Sequence, residues 1–88
     1  MVLGTAGGAH VLGSRNRYEQ SQNRAAKHFG DRWGSIEDAI INASSENVAS
    51  IVSRLASAFP NVEDKQILFD YYTDLMSYRG ASYAQQAE

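Results

Sequence analysis

Apolar side chains recur at three- and four-residue intervals through the middle of the chain, a spacing typical of a helix with one buried face. The pattern is clearest between residues 48 and 59, and it extends upstream to residue 36. It predicts a helix over residues 35–59 whose core-facing positions are Ile36, Ala39, Ile40, Ala43, Val48, Ile51, Val52, Leu55 and Phe59.

Both ends of this predicted helix carry sequence signals. Ser35 followed by Asp38 matches a helix-capping pattern, and Pro60 pushes the residue before it out of the helical conformation. The polar run 44–47 in the middle leaves two interpretations, because Ser44 and Ser45 could cap a new helix and their hydroxyls compete with helical hydrogen bonds. We favour one helix with a bend over two separate helices.

A second helix is predicted over residues 62–79. Asn61 offers a cap, and Glu63 and Asp64 place acidic groups in the first turn, where the helix dipole favours negative charge. The connection from residue 59 is short, so this helix should lie antiparallel to the preceding one. Its apolar face consists of Leu68, Tyr71, Tyr72, Leu75 and Met76.

The N-terminal third has a different character. Residues 1–13 contain four glycines, which make ordering costly, and they are expected to form a Gly-rich extended arm. A polar helix over about residues 15–29 follows, with Ser14 as its N-cap and Gly30 as a left-handed glycine at its end.

These elements predict an all-α fold, consisting of a helical hairpin (helices about 35–59 and 62–79), a polar N-terminal helix and the arm. The predicted division is an arm over residues 1–13 and a single small helical domain over residues 14–88. Within that domain we expect a basic docking helix at 14–33, a hairpin body at 34–80 and a tail at 81–88.

Composition narrows the range of functions. The chain has 88 residues and no cysteine, which excludes disulfides, thiolate nucleophiles and cysteine-ligated metals. His10 and His28 lie far apart without carboxylates at ligand spacing, so we expect no metal site, no cofactor and no enzyme activity. No stretch approaches the roughly 20 apolar residues that a membrane span needs. An intracellular or virion-associated protein is expected, with mitochondrial targeting as an alternative.

Charge divides the chain into two parts. Up to Trp33 there are five basic and two acidic residues, a formal +3, whereas from Gly34 onward there are three basic and eight acidic residues, a formal -5. Three explanations stay open: the two parts attract each other within the fold, the basic part binds nucleic acid, or it inserts into a groove of a larger assembly.

The predicted function is a non-enzymatic accessory or structural subunit of a larger multi-protein assembly, with other protein subunits as its partners. One alternative is a small regulatory or inhibitor protein, for example phage-encoded, acting through an acidic helical face. The other, which we consider weaker, is a nucleic-acid-binding module. The predicted partner-binding residues are Val2, Leu3, Val11, Leu12, Arg15, Arg17, Tyr18, Arg24, Lys27 and Trp33.

Overall fold

The structure is a computed structural model that describes the backbone of residues 2–87 and the side chains of residues 12–82. It contains α1 (Val2–Phe29), a 3₁₀ turn (Gly30–Arg32), α2 (Trp33–Ile41), α3 (Val48–Ser57) and α4 (Val62–Ala87). No strand occurs in the described backbone, and the predicted all-α fold is confirmed.

The long helices α1 and α4 form the principal helix pair and run antiparallel. His28 near the end of α1 meets Asp64 near the start of α4, whereas Tyr18 earlier in α1 stacks on Tyr78 late in α4. α3 packs against α4 and α2, and within the described residues it does not pack against α1. The predicted pairing of α3 with α4 is therefore present, and α1 adds a second, larger helix pair.

The core lies where the four helices meet, and its centre is aromatic. The ring of Phe29 stacks on Phe59 and Trp33 at centroid distances of 5.2 and 6.0 Å, and Trp33 meets Tyr71 edge-on at 4.7 Å. Such aromatic pairs add to the stabilisation from buried area. The buried apolar residues of this cluster are Ala25, Phe29, Trp33, Ile36, Ile40, Val48, Val52, Ala56, Ile67, Leu68, Tyr71 and Leu75.

The favoured prediction of one bent helix over residues 35–59 was wrong, and the two-helix alternative is correct. α2 ends at Ile41, and the backbone N–H groups of Asn47 and Val48 both donate to the Ser44 carbonyl, each at 2.9 Å. Asn47 also donates from its side chain to the Ser44 hydroxyl. The polar run satisfies its own hydrogen bonds in a turn, so it does not need to continue the helix.

Basic side chains of α4 cap the C-terminal ends of both short helices, α2 and α3. The Lys65 ammonium donates to the carbonyl oxygens of Ala56 and Phe59 at 2.6 and 2.5 Å. The Arg79 guanidinium donates to the Ile41 carbonyl at 3.3 Å. Carbonyls at a helix end have no partner within the helix, and cations complement the helix dipole there, so α4 completes both α2 and α3.

The junction between α1 and α2 confirms one prediction and corrects another. Gly30 has φ of 59°, the left-handed conformation predicted for it, and this lets the chain turn after α1. The predicted cap at Ser35 was wrong, because α2 already begins at Trp33 and no side chain caps its first turn. The 3₁₀ turn continues almost directly into α2, so no separate start is needed at Ser35.

The outer limits of α1 and α4 also differ from the prediction. The backbone of residues 2–13, assigned to the extended arm, is part of α1, and Ser14 is fully buried in the helix, where its hydroxyl accepts from Arg17. Ser14 is therefore not an N-cap. At the other end, α4 continues past Gly80, and Ala81 is buried. The arm residues Val2, Leu3 and Val11 lie outside the residues whose side chains are described.

Candidate functional site

A row of polar contacts joins α1 to α4, and we name it the α1–α4 seam. It consists of Ser21 donating to Asp74, Arg24 to Asp70 at 3.3 Å, and His28 to Asp64 at 2.5 Å. The basic part of the chain thus meets the acidic part within the fold, as the first explanation of the charge division predicted. Arg24 and Asp70 are 56% and 40% exposed, so this ion pair orients the helices more than it stabilises them.

A second polar network lies beneath the seam, around the fully buried Tyr71. Its hydroxyl donates to the Glu37 carboxylate at 2.9 Å, and Gln22 donates to the same oxygen at 2.7 Å. The Tyr18 hydroxyl lies 3.4 Å from that of Tyr71. Burial, followed by the contacts with Tyr18 and Glu37, raises the pKa of Tyr71 well above its usual value. The Tyr71 hydroxyl therefore stays protonated and acts as a donor that links α4 to α2.

Other side chains of α1 face solvent, and one of them, Arg17, also donates to the buried Ser14. Leu12 is 60% exposed, which is unusual for a large apolar side chain, and Arg15 forms an ion pair with Glu19 at 2.8 Å, one turn further along the helix. Arg17 and Lys27 are exposed and make no ion pair with any residue whose side chain is described. We name Leu12, Arg15, Arg17 and Lys27 the outer face of α1.

The structure separates the predicted partner-binding residues into three groups. Trp33 is only 6% exposed and belongs to the core, because it packs between Phe29 and Tyr71. Tyr18 and Arg24 contact α4. The four residues of the outer face of α1 remain accessible to a partner. Val2, Leu3 and Val11 lie outside the described side chains.

Sequence reasoning missed an accessible surface on α3. Its members Ile51 and Leu55 were predicted to be core residues, but both are only half-buried, and of the two only Leu55 packs against the core. Val48, Val52 and Ala56 are buried. The available signal was the breadth of the apolar pattern in residues 48–59, which is wider than one buried face requires. Two neighbouring apolar rows share this helix, and only one faces α4.

His28 and Asp64 form the most buried polar contact of the seam. The side chains of His28 and Asp64 are 26% and 11% exposed, and the His28 ring packs edge-on against Phe29 at 4.9 Å. The hydrogen bond from His28 lowers the pKa of Asp64; burial opposes this effect, and Asn61 and Arg32 add to it. The contact holds the end of α1 against the start of α4.

Because of this contact, the free energy of unfolding should depend on pH in the acidic range. The pKa of an aspartate is about 3.9 in the unfolded chain, and that of Asp64 is lower in the folded protein. The Asp64 carboxylate therefore stabilises the fold above about pH 3.9, and this contribution is lost as the pH falls through the pKa of the folded state. We expect the gap in unfolding free energy between the native protein and Asp64→Asn, measured by urea denaturation, to shrink from about pH 5 to about pH 3. Glu63→Gln, at the exposed neighbouring position, is the matched control. A gap that stays constant across this range would contradict the assignment.

Among the described residues there is no group of three or more His, Cys, Asp or Glu side chains placed to hold a metal ion. No described helix is both long and apolar enough to cross a membrane. Comparison with known proteins finds no family model, no curated protein and no solved structure that matches this chain.

Proposed function

We propose that this protein is a non-enzymatic accessory subunit that docks onto a larger protein assembly through its N-terminal segment and the outer face of α1. The observation that carries the proposal is the contrast between the two sides of this helix. The inner side contacts α4 through the seam and Tyr18 and contacts α2 through Gln22, whereas Leu12 is left exposed.

An exposed leucine flanked by cations suits a protein groove that has an apolar floor and an acidic rim. Burying Leu12 would contribute about 1.5 to 3 kcal/mol, and an acidic rim would guide the approach of Arg17. Because α1 is already held along α4, docking would require little ordering of residues 12–29 and would avoid the associated entropy cost.

The two alternatives find less support in the geometry. An inhibitor acting through an acidic helical face needs several accessible carboxylates side by side. Of the four acids of α4, however, Asp64, Asp70 and Asp74 are engaged in contacts within the fold, and Glu63 is exposed. A nucleic-acid binder needs several accessible cations aimed at phosphates, yet Arg24 pairs with Asp70 and Arg15 with Glu19.

Site-specific photo-crosslinking in the cells that encode this protein tests the proposal. A photoreactive amino acid at position 12 is expected to give a crosslinked product of defined mass with one larger protein, whereas the same group at the exposed position 66 should not. Arg17→Glu should abolish the product. Arg32→Glu, which makes the same change of charge at an exposed position in the 3₁₀ turn, outside both proposed docking surfaces, is the control and should retain it.

Two results would contradict this proposal. Crosslinks of equal yield from positions 12 and 66 would mean that the outer face of α1 is not a specific surface. Crosslinks to nucleic acid, removed by nuclease treatment, would favour the nucleic-acid alternative instead.

A further inference from the structure

α3 packs on the core through one fully buried row of side chains, and Leu55 beside that row packs partly against the core. Val48, Val52 and Ala56 recur every four residues and are 3%, 1% and 4% exposed. This buried row faces the core formed with α4 and α2. A helix held by one such row ordinarily presents polar side chains elsewhere.

α3 instead carries a second apolar row beside the first. Ile51, Leu55 and Ala58 lie at positions i, i+4 and i+7, and together with Arg54 they line an open hollow of about 300 Å³. We name these four residues the α3 patch. The volume is at the lower end of the range for ligand pockets and is large enough to accept an aliphatic side chain. No described residue fills this hollow.

Charge limits what can cover the patch. Arg54 is the only charged residue of α3, and it makes no ion pair with any described side chain. If two copies paired through their α3 patches about a two-fold axis, the two Arg54 side chains would approach each other without an α3 carboxylate between them. Like charges in that position disfavour self-association and favour an acidic partner.

We propose that the α3 patch binds an amphipathic, acidic helix of a partner protein. One aliphatic side chain of that helix enters the hollow between Ile51 and Leu55, and a carboxylate one turn away pairs with Arg54. Residues three or four apart lie on the same helix face, so one helix can present both groups together. This surface is separate from the outer face of α1 and adds a second docking site to the proposed function.

A designed peptide provides the probe. It is a helical 16-residue peptide with leucines at i, i+4 and i+7 and glutamates beside them, and its counterpart has lysine in place of every glutamate. Titration of the full ¹⁵N-labelled chain is expected to shift backbone amide resonances around residues 51–58 with the glutamate peptide. The lysine peptide should bind at least about tenfold more weakly, a difference of about 1.4 kcal/mol.

Charge exchange tests the role of Arg54 directly. Arg54→Glu should weaken binding of the glutamate peptide at least about tenfold and strengthen binding of the lysine peptide. A general loss of folding would not strengthen the binding of either peptide. Ala58→Gln, at an exposed position, should weaken the binding of both peptides, because the longer side chain fills the hollow. Arg17→Glu should change neither affinity, so a failure here can be told apart from a failure of the proposed function.

The proposal is overturned by any of three results. The first is the absence of resonance shifts around residues 51–58 at about 1 mM peptide, a concentration corresponding to roughly 4 kcal/mol of binding. The second is equal affinity of the two peptides for the native protein. The third is a concentration-dependent dimer in sedimentation that Ala58→Gln abolishes, which would make a second copy of the chain the occupant.

Discussion

Trp33→Ala is expected to lower the free energy of unfolding by about 3 to 5 kcal/mol, the range for removing a large aromatic residue from a packed core. The side chain is 6% exposed and lies between the rings of Phe29 and Tyr71. A domain of this size has little stability in reserve, so a substantial unfolded fraction is expected at 25 °C. Because the substitution removes the only tryptophan, urea denaturation should be followed by circular dichroism.

Trp33→Phe is the matched control and should cost less, because a smaller ring preserves part of the contact with Tyr71. A loss below about 1 kcal/mol for Trp33→Ala would mean that the aromatic centre does not hold the helices together. Trp33 would then be available to a partner, as the sequence alone suggested.

Glu37→Ala is expected to lower the free energy of unfolding by about 1 to 3 kcal/mol, because it removes the acceptor of the buried Tyr71 hydroxyl. This loss is expected although Glu37 itself is only half-buried. The remaining neighbour, the Tyr18 hydroxyl at 3.4 Å, is too distant to replace a bond of 2.9 Å. Urea denaturation of the variant measures this loss, and Glu37→Gln, which keeps an oxygen acceptor, should cost less.

A double-mutant cycle identifies the cause. In a Tyr71→Phe background no hydroxyl needs an acceptor, so Glu37→Ala should then cost distinctly less than in the native protein. Equal losses of unfolding free energy in the two backgrounds would mean that Glu37 acts through its contact with Gln22 and not through Tyr71.

Two local sequence signals predicted local structure correctly, whereas the caps predicted at Ser14 and Ser35 were wrong. The cap at Asn61 and the acids after it predicted a helix starting at residue 62, and α4 starts there. The left-handed conformation of Gly30 was also correct, because few residues other than glycine adopt positive φ at the end of a helix. Each of these features depends on a few neighbouring residues, which the sequence displays directly.

Features that depend on distant residues were not predictable in the same way. The burial of Ser14 depends on the path of α1, and the closure of α2 and α3 depends on Lys65 and Arg79, which belong to a different helix. The sequence indicated opposite charges in the two parts of the chain, but not that Arg24 would meet Asp70. Pairing across tens of residues is decided by packing, and a one-dimensional pattern does not record it.

The candidate site shows the same limit. Leu12 and Arg17, which are exposed in the structure, were among the residues that the sequence proposed for partner binding, and that role stays a prediction. The α3 patch was not identified, because Ile51 and Leu55 satisfy the helical spacing of a core as well as Val48 and Val52 do. Only the position of α4 beside α3 determines which row is covered.

The pairing of α1 with α4 also has a consequence for folding during synthesis. α2 and α3 have 9 and 10 residues, lengths at which an isolated helix is marginal in water, and both have C-terminal carbonyls bonded to α4. The inner side of α1 likewise contacts residues made much later, such as Asp74. We therefore expect a nascent chain to leave the ribosome with the segments of α1, α2 and α3 only partly helical and their apolar sides uncovered, and to fold cooperatively when α4 emerges. Until then the chain exposes the surfaces that chaperones bind.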